Sequence, residues 1–209
     1  MSEPTLLAIT PGDGRDLFPW LGALADAGLT DLLLRERHRD ADTIRRLYAF
    51  ARQHIPRVWV HHHTACALAE APERLHLPSD VRNHDTEPPT CPFGVSAHTD
   101  AQIERALETG ASYVLFSPVY PPTSKPNDTR APLGEEAYLQ RAQGQPIWAL
   151  GGLSPSRWRR LTSAGATGAA VLGDLFGQAS PRQAAARLRS YSELVASSSS
   201  EPVTKTSGS

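Results

Sequence analysis

The sequence lacks the features that mark membrane, secreted and nucleic-acid-binding proteins. No apolar run approaches the roughly 18 residues that a membrane-spanning helix needs, so no membrane partner is expected. The formal net charge is -1, which offers nucleic acid no general electrostatic attraction. Cys66 and Cys91 have neither metal-ligand spacing nor the pattern of a disulfide framework. Because residues 1–4 contain no basic stretch and no apolar core, no secretory signal is expected, and cytoplasmic residence is the simplest interpretation.

The composition that is present is that of one globular domain. Hydrophobic residues make up 40% of the 209 positions, enough for a sizeable core. We expect this domain to occupy residues 1–196. Residues 197–209 are rich in serine with scattered charge, and this tail is predicted to be disordered.

Short apolar runs alternate with helical spacing along the chain. The first run covers residues 5–10 and the last covers residues 169–172, and segments such as residues 41–54 and 135–142 show helical spacing. Runs this short and apolar suit parallel strands that are buried on both faces. Eight such strand–helix units predict an α/β fold, a single closed (β/α)8 TIM barrel, with a doubly wound open sheet as the alternative.

A glycine pair closes the seventh apolar run and precedes a helix. Gly151 and Gly152 come before Ser154, a suitable N-cap, and Pro155, which suits the first helical position. Glycines leave bare amides at the positive end of a helix, where an anion can approach. Gly173 closes the eighth run in a similar way. The pattern indicates a phosphate site at two strand ends, and a simple tight connection is the alternative.

Two arginines follow the second apolar run. Arg35 and Arg37 point to the same side while the strand continues, so their guanidinium groups could hold a carboxylate or a phosphate together. The alternative is a solvated charge run in which Glu36 is the partner.

Three consecutive histidines follow the third apolar run. Neighbouring side chains point in alternate directions, so one metal ion could meet at most His61 and His63, and no third ligand is apparent. No metal site is therefore predicted. Proton transfer or hydrogen bonding to a ligand is favoured for these side chains.

The ends of the fifth and sixth runs carry further candidates. Ser96 and His98 share a side and would present a hydroxyl and an imidazole at the barrel mouth, although His98 could instead join Thr99 in a helix cap. The proline-rich loop after the sixth run contains Ser124 and Lys125, and Lys125 offers a positive charge to an anion. This loop is a candidate lid, with a plain surface loop as the alternative.

Several segments, taken in order, resemble the thiamine phosphate synthase and TenI (thiazole tautomerase) superfamily. They are LRER at 34–37, LHLPS at 75–79, GVSAHT at 94–99, GASYVLFSPVYP at 110–121, ALGGL at 149–153 and AGATGAAVL at 164–172. The resemblance implies a TIM barrel and a thiazole phosphate ligand, with the phosphate held by Gly151, Gly152 and Gly173. For synthases it also implies a pyrimidine pyrophosphate bound with magnesium, on the positions of Leu33, Arg35, Arg37, His61, His62, Val81, Ser96 and Lys125.

This chain departs from the synthase pattern where the pyrophosphate and magnesium would bind. The family's usual Gln is Leu33 and its Lys is Arg37. Its Asn–Asp pair is replaced by His61 and His62, and its second magnesium-binding Asp is replaced by Val81. With both carboxylates replaced, the hard oxygen ligands that magnesium prefers are missing, so no cofactor is assigned.

The segments at 34–37 and 76–79 resemble the TenI branch more closely. That resemblance implies a metal-free proton transfer that aromatises a thiazole carboxylate phosphate. The histidine of that branch, which follows the sixth strand, corresponds to Pro118 here. Another group would then have to move the proton.

Three functions remain after this comparison, and each involves a small phosphorylated molecule. The first is a TenI-like enzyme of thiamine biosynthesis in which His98, His61 and Glu36 carry the proton transfer. The second is a thiamine phosphate synthase whose rebuilt pyrophosphate site uses Arg35, Arg37 and Lys125. The third is a non-catalytic phosphate-ligand binding or regulatory protein. A homo-oligomer is left open.

Overall fold

The structure, a computed structural model, describes residues 3–79, 87–121 and 131–198, with side chains described as far as residue 193. Its strands are β1 (Thr5–Ile9), β2 (Asp31–Leu34), β3 (Arg57–His61), β4 (Leu75–Leu77), β5 (Phe93–Ala97), β6 (Tyr113–Phe116), β7 (Ile147–Leu150) and β8 (Gly168–Val171). Its helices are α1 (Phe18–Asp26), α2 (Ala41–His54), α3 (His62–Ala65), α4 (Asp100–Glu108), α5 (Glu135–Ala142), α6 (Pro155–Ser163), α7 (Gly173–Phe176) and α8 (Pro181–Ser198).

The strands form a closed barrel in which each strand pairs in parallel with the next, and β8 pairs with β1. The predicted (β/α)8 TIM barrel is therefore confirmed, and the doubly wound sheet is wrong. Helices α2 and α5 have the predicted bounds. The short helix α7 is absent from the prediction, because four residues are too few to show a helical period.

Side-chain caps mark where several loops give way to helices. The side chains of Asp40, Thr99 and Ser154 each accept a hydrogen bond from the backbone amide three residues along the chain. Pro155 takes the first position of α6, where no amide donor is needed. The predicted start of the helix after the glycine pair is therefore confirmed.

Aromatic side chains fill the barrel interior. Tyr113 and Trp148 stack with ring centroids 4.2 Å apart and planes 3° apart, and Trp59 meets Tyr113 edge-on at 4.7 Å. Aliphatic side chains from β1, β2, β6 and β8 complete this inner cluster, and a larger apolar cluster lies between the strands and the helices. The interior is thus a packed core rather than a channel.

Two strand glycines make room for these rings. An ideal Cβ on Gly94 would lie 2.2 Å from Cζ of Tyr113, and one on Gly168 would lie 2.5 Å from Nε1 of Trp148. Both distances are far inside normal contact, so any side chain at these positions would displace a ring. Gly94 therefore allows the ring of Tyr113 to extend across β5 toward β4.

The last helix extends past the predicted domain boundary. Helix α8 runs to Ser198, so residues 197 and 198 of the predicted tail are helical. The rest of that tail lies outside the described residues. Within the described ranges, no helix combines the length and the hydropathy that crossing a membrane requires.

We expect Gly94→Ala to lower the free energy of unfolding by roughly 3 kcal/mol, because the added methyl group overlaps the packed ring of Tyr113. Gly22→Ala is the matched control. Gly22 lies inside α1, its added Cβ would meet Cζ of Phe50 at 3.8 Å, and alanine favours a helix by about 1 kcal/mol. Chemical denaturation of both variants measures the difference. Equal stability of the two would contradict the packing described at Gly94.

Candidate functional site

The carboxyl ends of the strands place most of the predicted site residues on one face of the barrel. Three of the predicted positions, Ser124, Lys125 and Val81, lie outside the described residues. The others are Arg35, Glu36 and Arg37 after β2, His61 and His62 at the β3–α3 junction, Ser96 in β5, His98 beyond it, Gly151 and Gly152 after β7, and Gly173 after β8.

Glu36 is buried where the loops after β1, β2 and β3 meet, with 1% of its surface exposed. Its Oε1 accepts a hydrogen bond from the amide of Gly12 at 3.1 Å, and its Oε2 accepts one from Nε of Arg39 at 2.6 Å. Its own amide donates to Oγ1 of Thr64 at 2.9 Å. Because donors hold both carboxylate oxygens, Glu36 is better placed to join loops than to take up a proton.

Neighbouring contacts extend this junction to the loop after β8. The amide of Arg35 donates to Oγ1 of Thr10 at 2.8 Å, and the guanidinium of Arg39 also donates to the carbonyl of Arg15. Nη1 of Arg15 in turn donates to the carbonyl of Phe176 at 2.6 Å. The loops after β1, β2, β3 and β8 are therefore linked through hydrogen bonds around one buried carboxylate.

Arg35 and Arg37 have no carboxylate partner in ion-pair contact within the described part of the chain. Arg35 is half-buried, and burial followed by the charge of Arg37 lowers the pKa of its guanidinium, although Glu36 offsets part of the effect. Arg37 is exposed, and its Nη2 lies 3.4 Å from Nε2 of His61. Two neighbouring cations with so little compensation are suited to hold an anion.

His61 caps α3 and remains neutral. Its Nδ1 accepts a hydrogen bond from the amide of His63 at 3.3 Å, so the single ring proton lies on Nε2. Burial lowers the pKa of His61 to about 2, with further contributions from His76, Arg37 and Arg35. A base is most effective when its pKa lies near the working pH, so these properties favour a structural or binding role for His61 over proton transfer.

The protonated Nε2 of His61 also affects Arg37. Nε2–H and the guanidinium of Arg37 are both donors, so their contact at 3.4 Å is not a hydrogen bond while His61 caps α3. The guanidinium is therefore available to an anion at the mouth. His62, the first residue of α3, is half-buried.

A hydrogen-bonded chain inside the barrel leads to Ser96. Nδ1 of His76 lies 3.0 Å from Oη of Tyr113, and Nε2 of His76 lies 2.9 Å from Oγ of Ser96. Burial, followed by the charge of Arg35, lowers the pKa of His76 to about 3, so the ring is neutral. No role was predicted for His76. The signal that could have found it is a single polar ring in the middle of a short apolar strand.

His98 lies just beyond β5 and is exposed. Its Nδ1 is 2.9 Å from the carbonyl oxygen of Ser117, which can only accept, so Nδ1 carries the proton and Nε2 is the basic nitrogen. The side chain of Thr99 caps α4, and the amide of His98 donates to Oε1 of Gln102, so the backbone of His98 contributes to this helix start. Among the predicted catalytic residues, His98 is the exposed one, whereas His61 and Glu36 are buried.

The turn at Gly151 and Gly152 is held close to the loop after β6. Their φ angles are +106° and +59°, a region that favours glycine. A Cβ on Gly152 would lie 2.5 Å from the carbonyl oxygen of Pro121, and one on Gly151 would lie 3.2 Å from Cα of Pro118. The approach of this loop therefore requires glycine here. Among the described residues, the two amides donate to no backbone acceptor, which leaves them able to bind a phosphate.

Charged side chains brace the loops after β7 and β8. Cζ of Arg157 lies 4.4 Å from the ring centroid of Tyr120, which fastens α6 to the loop after β6. Asp174 of α7 accepts a hydrogen bond from Nε of Arg187 in α8 at 2.7 Å. Gly173 begins α7 at this braced position, next to β8.

The described residues do not fit the magnesium ion that the family resemblance implies. No group of three or more His, Cys, Asp or Glu side chains suited to a metal occurs within residues 3–79, 87–121 and 131–198. Magnesium prefers oxygen ligands, whereas His61 offers ring nitrogens beside the cation Arg37, and both oxygens of Glu36 are engaged. We therefore assign no chemical step to magnesium.

A cavity of about 700 Å³ opens at the opposite end of the barrel. Its lining includes Thr5, Thr30 and Arg57 at the amino ends of the first three strands, and none of the predicted site residues. Arg57 is already paired there with the buried carboxylate of Asp31 at 2.6 Å. Because the functional groups of such barrels lie at the carboxyl ends of the strands, this cavity is not the candidate site.

These features define a class of protein, a (β/α)8 barrel whose carboxyl-end face carries an arginine pair and glycine-rich strand ends. Residues 6–175 match the family described as thiamine monophosphate synthase, and the chain belongs to this family. The resemblance to the thiamine phosphate synthase and TenI superfamily is thereby confirmed. The match covers the superfamily and does not separate its synthase branch from its TenI branch.

The relatives of this chain include two proteins that are named thiamine-phosphate synthase. The protein from Saccharophagus degradans is 30% identical over 154 residues, which are 68% of this chain and 71% of that protein. The protein from Halorhodospira halophila is 29% identical over 182 residues, which are 83% of this chain and 87% of that protein. The solved structure of thiamine phosphate pyrophosphorylase from Pyrococcus furiosus has a TM-score of 0.72 at 17% identity, covers 92% of this chain and 96% of its own, and shares the fold.

We expect Glu36→Gln to lower the free energy of unfolding by about 2 kcal/mol, because it breaks a buried ion pair with Arg39. Glu73→Gln is the matched control, since Glu73 pairs with Arg52 while both side chains are about half exposed. Denaturant titration of both variants provides the measurement. If Glu36→Gln were as stable as Glu73→Gln, the junction of loops around Glu36 would not hold.

The two buried histidines also predict how stability depends on pH. Their folded-state pKa values, about 2 for His61 and about 3 for His76, lie below the unfolded value of about 6.5. The unfolded state therefore binds protons first, and stability is lost as the pH falls below about 6.5. Between pH 7.5 and 5.5 each histidine should remove about 1 kcal/mol of unfolding free energy.

His61→Asn tests this dependence, because asparagine can still cap α3 but does not titrate. The variant should lose less stability than the wild type between these two pH values, as measured by denaturation at each pH. An unchanged pH dependence in the variant would show that His61 is not buried in its neutral form.

Proposed function

We propose that the protein joins a thiazole phosphate to a pyrimidine pyrophosphate, as a thiamine phosphate synthase whose pyrophosphate site is built from arginines. One observation carries the proposal: the carboxyl-end face offers two separate places for an anion. Arg35 and Arg37 provide the first after β2, and the amides of Gly151 and Gly152 provide the second after β7. Family membership and the names of two relatives support the same choice.

The separation of the two places suits a reaction between two phosphorylated substrates. Around the closed barrel, β2 and β7 are separated by two strands on one side and by four on the other. Phosphates held at these strand ends would leave the two heterocycles to meet over the barrel mouth. A tautomerase that acts on one phosphorylated substrate needs a single anion site.

The charges of the site also suit this reaction. When a carbon–nitrogen bond forms and the bond to pyrophosphate breaks, negative charge increases on the departing pyrophosphate. Arg35 and Arg37 can stabilise that charge with planar guanidinium groups, and Arg35 does so from a half-buried position. Attack by a ring nitrogen needs no base to remove a proton first, which is compatible with the neutral rings of His61 and His76.

A TenI-like proton transfer is the second candidate, and the geometry of His98 favours it. The bond from Nδ1 to the carbonyl of Ser117 leaves Nε2 as a basic nitrogen on the same face of the barrel. The arginine pair would then hold the substrate's carboxylate while Gly151 and Gly152 hold its phosphate. This alternative gives His98 a role in proton transfer, but it involves only one phosphorylated substrate.

The test is an assay of the full chain with a pyrimidine pyrophosphate, a thiazole phosphate and magnesium, followed by mass spectrometry of the product. We expect thiamine phosphate to form. Arg35→Gln should lower kcat/KM about 100-fold, because a charge that stabilises the departing pyrophosphate is lost. Arg46→Gln is the matched control, since Arg46 lies exposed on α2 and should leave turnover unchanged.

Two outcomes would overturn the synthase proposal. If no thiamine phosphate forms but a thiazole carboxylate phosphate is aromatised in a reaction that His98→Ala abolishes, the protein is a tautomerase. If neither reaction occurs and the thiazole phosphate only raises the thermal unfolding temperature, the protein is a non-catalytic binder.

A further inference from the structure

The barrel interior contains a chain of polar groups in which the proposed function gives Tyr113 and His76 no part in the reaction. Oη of Tyr113, the ring of His76 and Oγ of Ser96 follow one another at 3.0 Å and 2.9 Å. Tyr113 and His76 are at most 1% exposed, whereas Ser96 is half-buried near the carboxyl end of β5. The chain therefore connects the aromatic packing inside the barrel with the face that carries the candidate site.

The direction of the first hydrogen bond follows from the groups available. Burial raises the pKa of Tyr113 well above its usual value, so the hydroxyl keeps its proton. Within the described residues, His76 is the hydrogen-bond partner of this hydroxyl, and no other is present. A buried hydroxyl that is left without an acceptor is costly, so Tyr113 donates its proton to Nδ1 of His76.

The second hydrogen bond then has a fixed direction as well. A neutral imidazole carries one N–H, and because Nδ1 accepts, the proton lies on Nε2. Nε2–H donates to Oγ of Ser96. The hydroxyl of Ser96 accepts this bond, so its own proton is left to be donated to another acceptor.

We propose that His76 is a positioning residue: it orients the hydroxyl of Ser96, a position where the family resemblance already implies the pyrophosphate substrate, as a hydrogen-bond donor to an anionic oxygen of that ligand. The identity of this ligand rests on the proposed function, whereas the tautomer of His76 does not. The ring of His76 lies next to that of His61, with centroids 5.9 Å apart, and Nη2 of Arg37 lies 3.4 Å from Nε2 of His61, so the same chain lies close to the cationic side of the mouth. A donor beside the arginine pair would add directional recognition to their charge.

A purely structural role would make a different prediction. If the three groups only satisfied one another in the core, the same tautomer of His76 would be expected, but removing Oη of Tyr113 would affect stability without affecting ligand binding. The proposal requires, beyond that tautomer, a functional connection from Tyr113 through His76 to Ser96.

The first measurement is the ring nitrogen chemical shifts of His76 in 15N-histidine-labelled protein near neutral pH. We expect a protonated Nε2 and an unprotonated Nδ1 in the ligand-free wild type. In Tyr113→Phe, which removes only the hydroxyl, this preference should be lost, and both tautomers should be populated. A protonated Nδ1 in the wild type would overturn the inference whatever the protein binds.

The second measurement is the affinity for inorganic pyrophosphate, by calorimetry of wild type, Ser96→Ala, Tyr113→Phe and the double variant. We expect Ser96→Ala to weaken binding about tenfold, because one hydrogen bond to a charged group is lost. Tyr113→Phe should weaken it by a smaller factor, and it should have no further effect once Ser96 is alanine. Thermal unfolding of each variant controls for loss of fold.

The outcomes separate this inference from the proposed function. Equal weakening by Tyr113→Phe in the presence and absence of the Ser96 hydroxyl would overturn the positioning role. If the wild type does not bind pyrophosphate although His76 has the expected tautomer, the ligand assignment and the proposed function fail together. In that case, the tautomer of His76 would be the one remaining result that supports the orientation of Ser96 by His76.

Discussion

Burial of the Glu36 carboxylate is the constraint on which the mouth of the barrel depends. A charge that is 1% exposed must be matched by donors, and Glu36 finds them in the amide of Gly12 and the guanidinium of Arg39. Its own amide reaches Thr64 in the loop after β3, so three loops meet at one point. Arg35 and Arg37 flank this residue in sequence but do not share its carboxylate. Burial of Glu36 therefore joins the loops. Because Arg39 pairs with its carboxylate, the charges of Arg35 and Arg37 remain for the site.

The strand glycine Gly94 also influences the site, through the packing of Tyr113. Because Gly94 has no side chain, the ring of Tyr113 can lie across β5, and its hydroxyl can reach His76 on β4. His76 in turn contacts Ser96, two residues beyond Gly94 on the same face of β5. Local sequence thus determines the packing, and the packing determines which way a polar group at the mouth is oriented.

The barrel could be predicted because each strand–helix unit is a local pattern, and α2 even has the predicted bounds because Asp40 and the helical period mark them. The site could be predicted only in part. From the sequence alone, Glu36 is equally compatible with a catalytic role and with a role as an ion-pair partner. Its contacts with Arg39 and Gly12 favour the ion-pair role. The contact between His76 and Tyr113 spans 37 positions and depends on strand register, which no local pattern reports.

The departures of this chain from the family pattern are physically consistent with one another. A metal ion held by carboxylates and a cluster of guanidinium groups are two ways to compensate the charge of a pyrophosphate, and one hinders the other because cations repel. Here Arg37 lies beside His61, which directly precedes the position where the family resemblance implies a magnesium-binding Asp, and burial keeps the ring of His61 neutral. The positive charge beside His61 therefore comes from the arginines and not from a protonated His61 ring. Under the proposed function, Arg35 and Arg37 compensate the pyrophosphate directly, which makes the loss of the two carboxylates and the proximity of the arginines parts of a single arrangement.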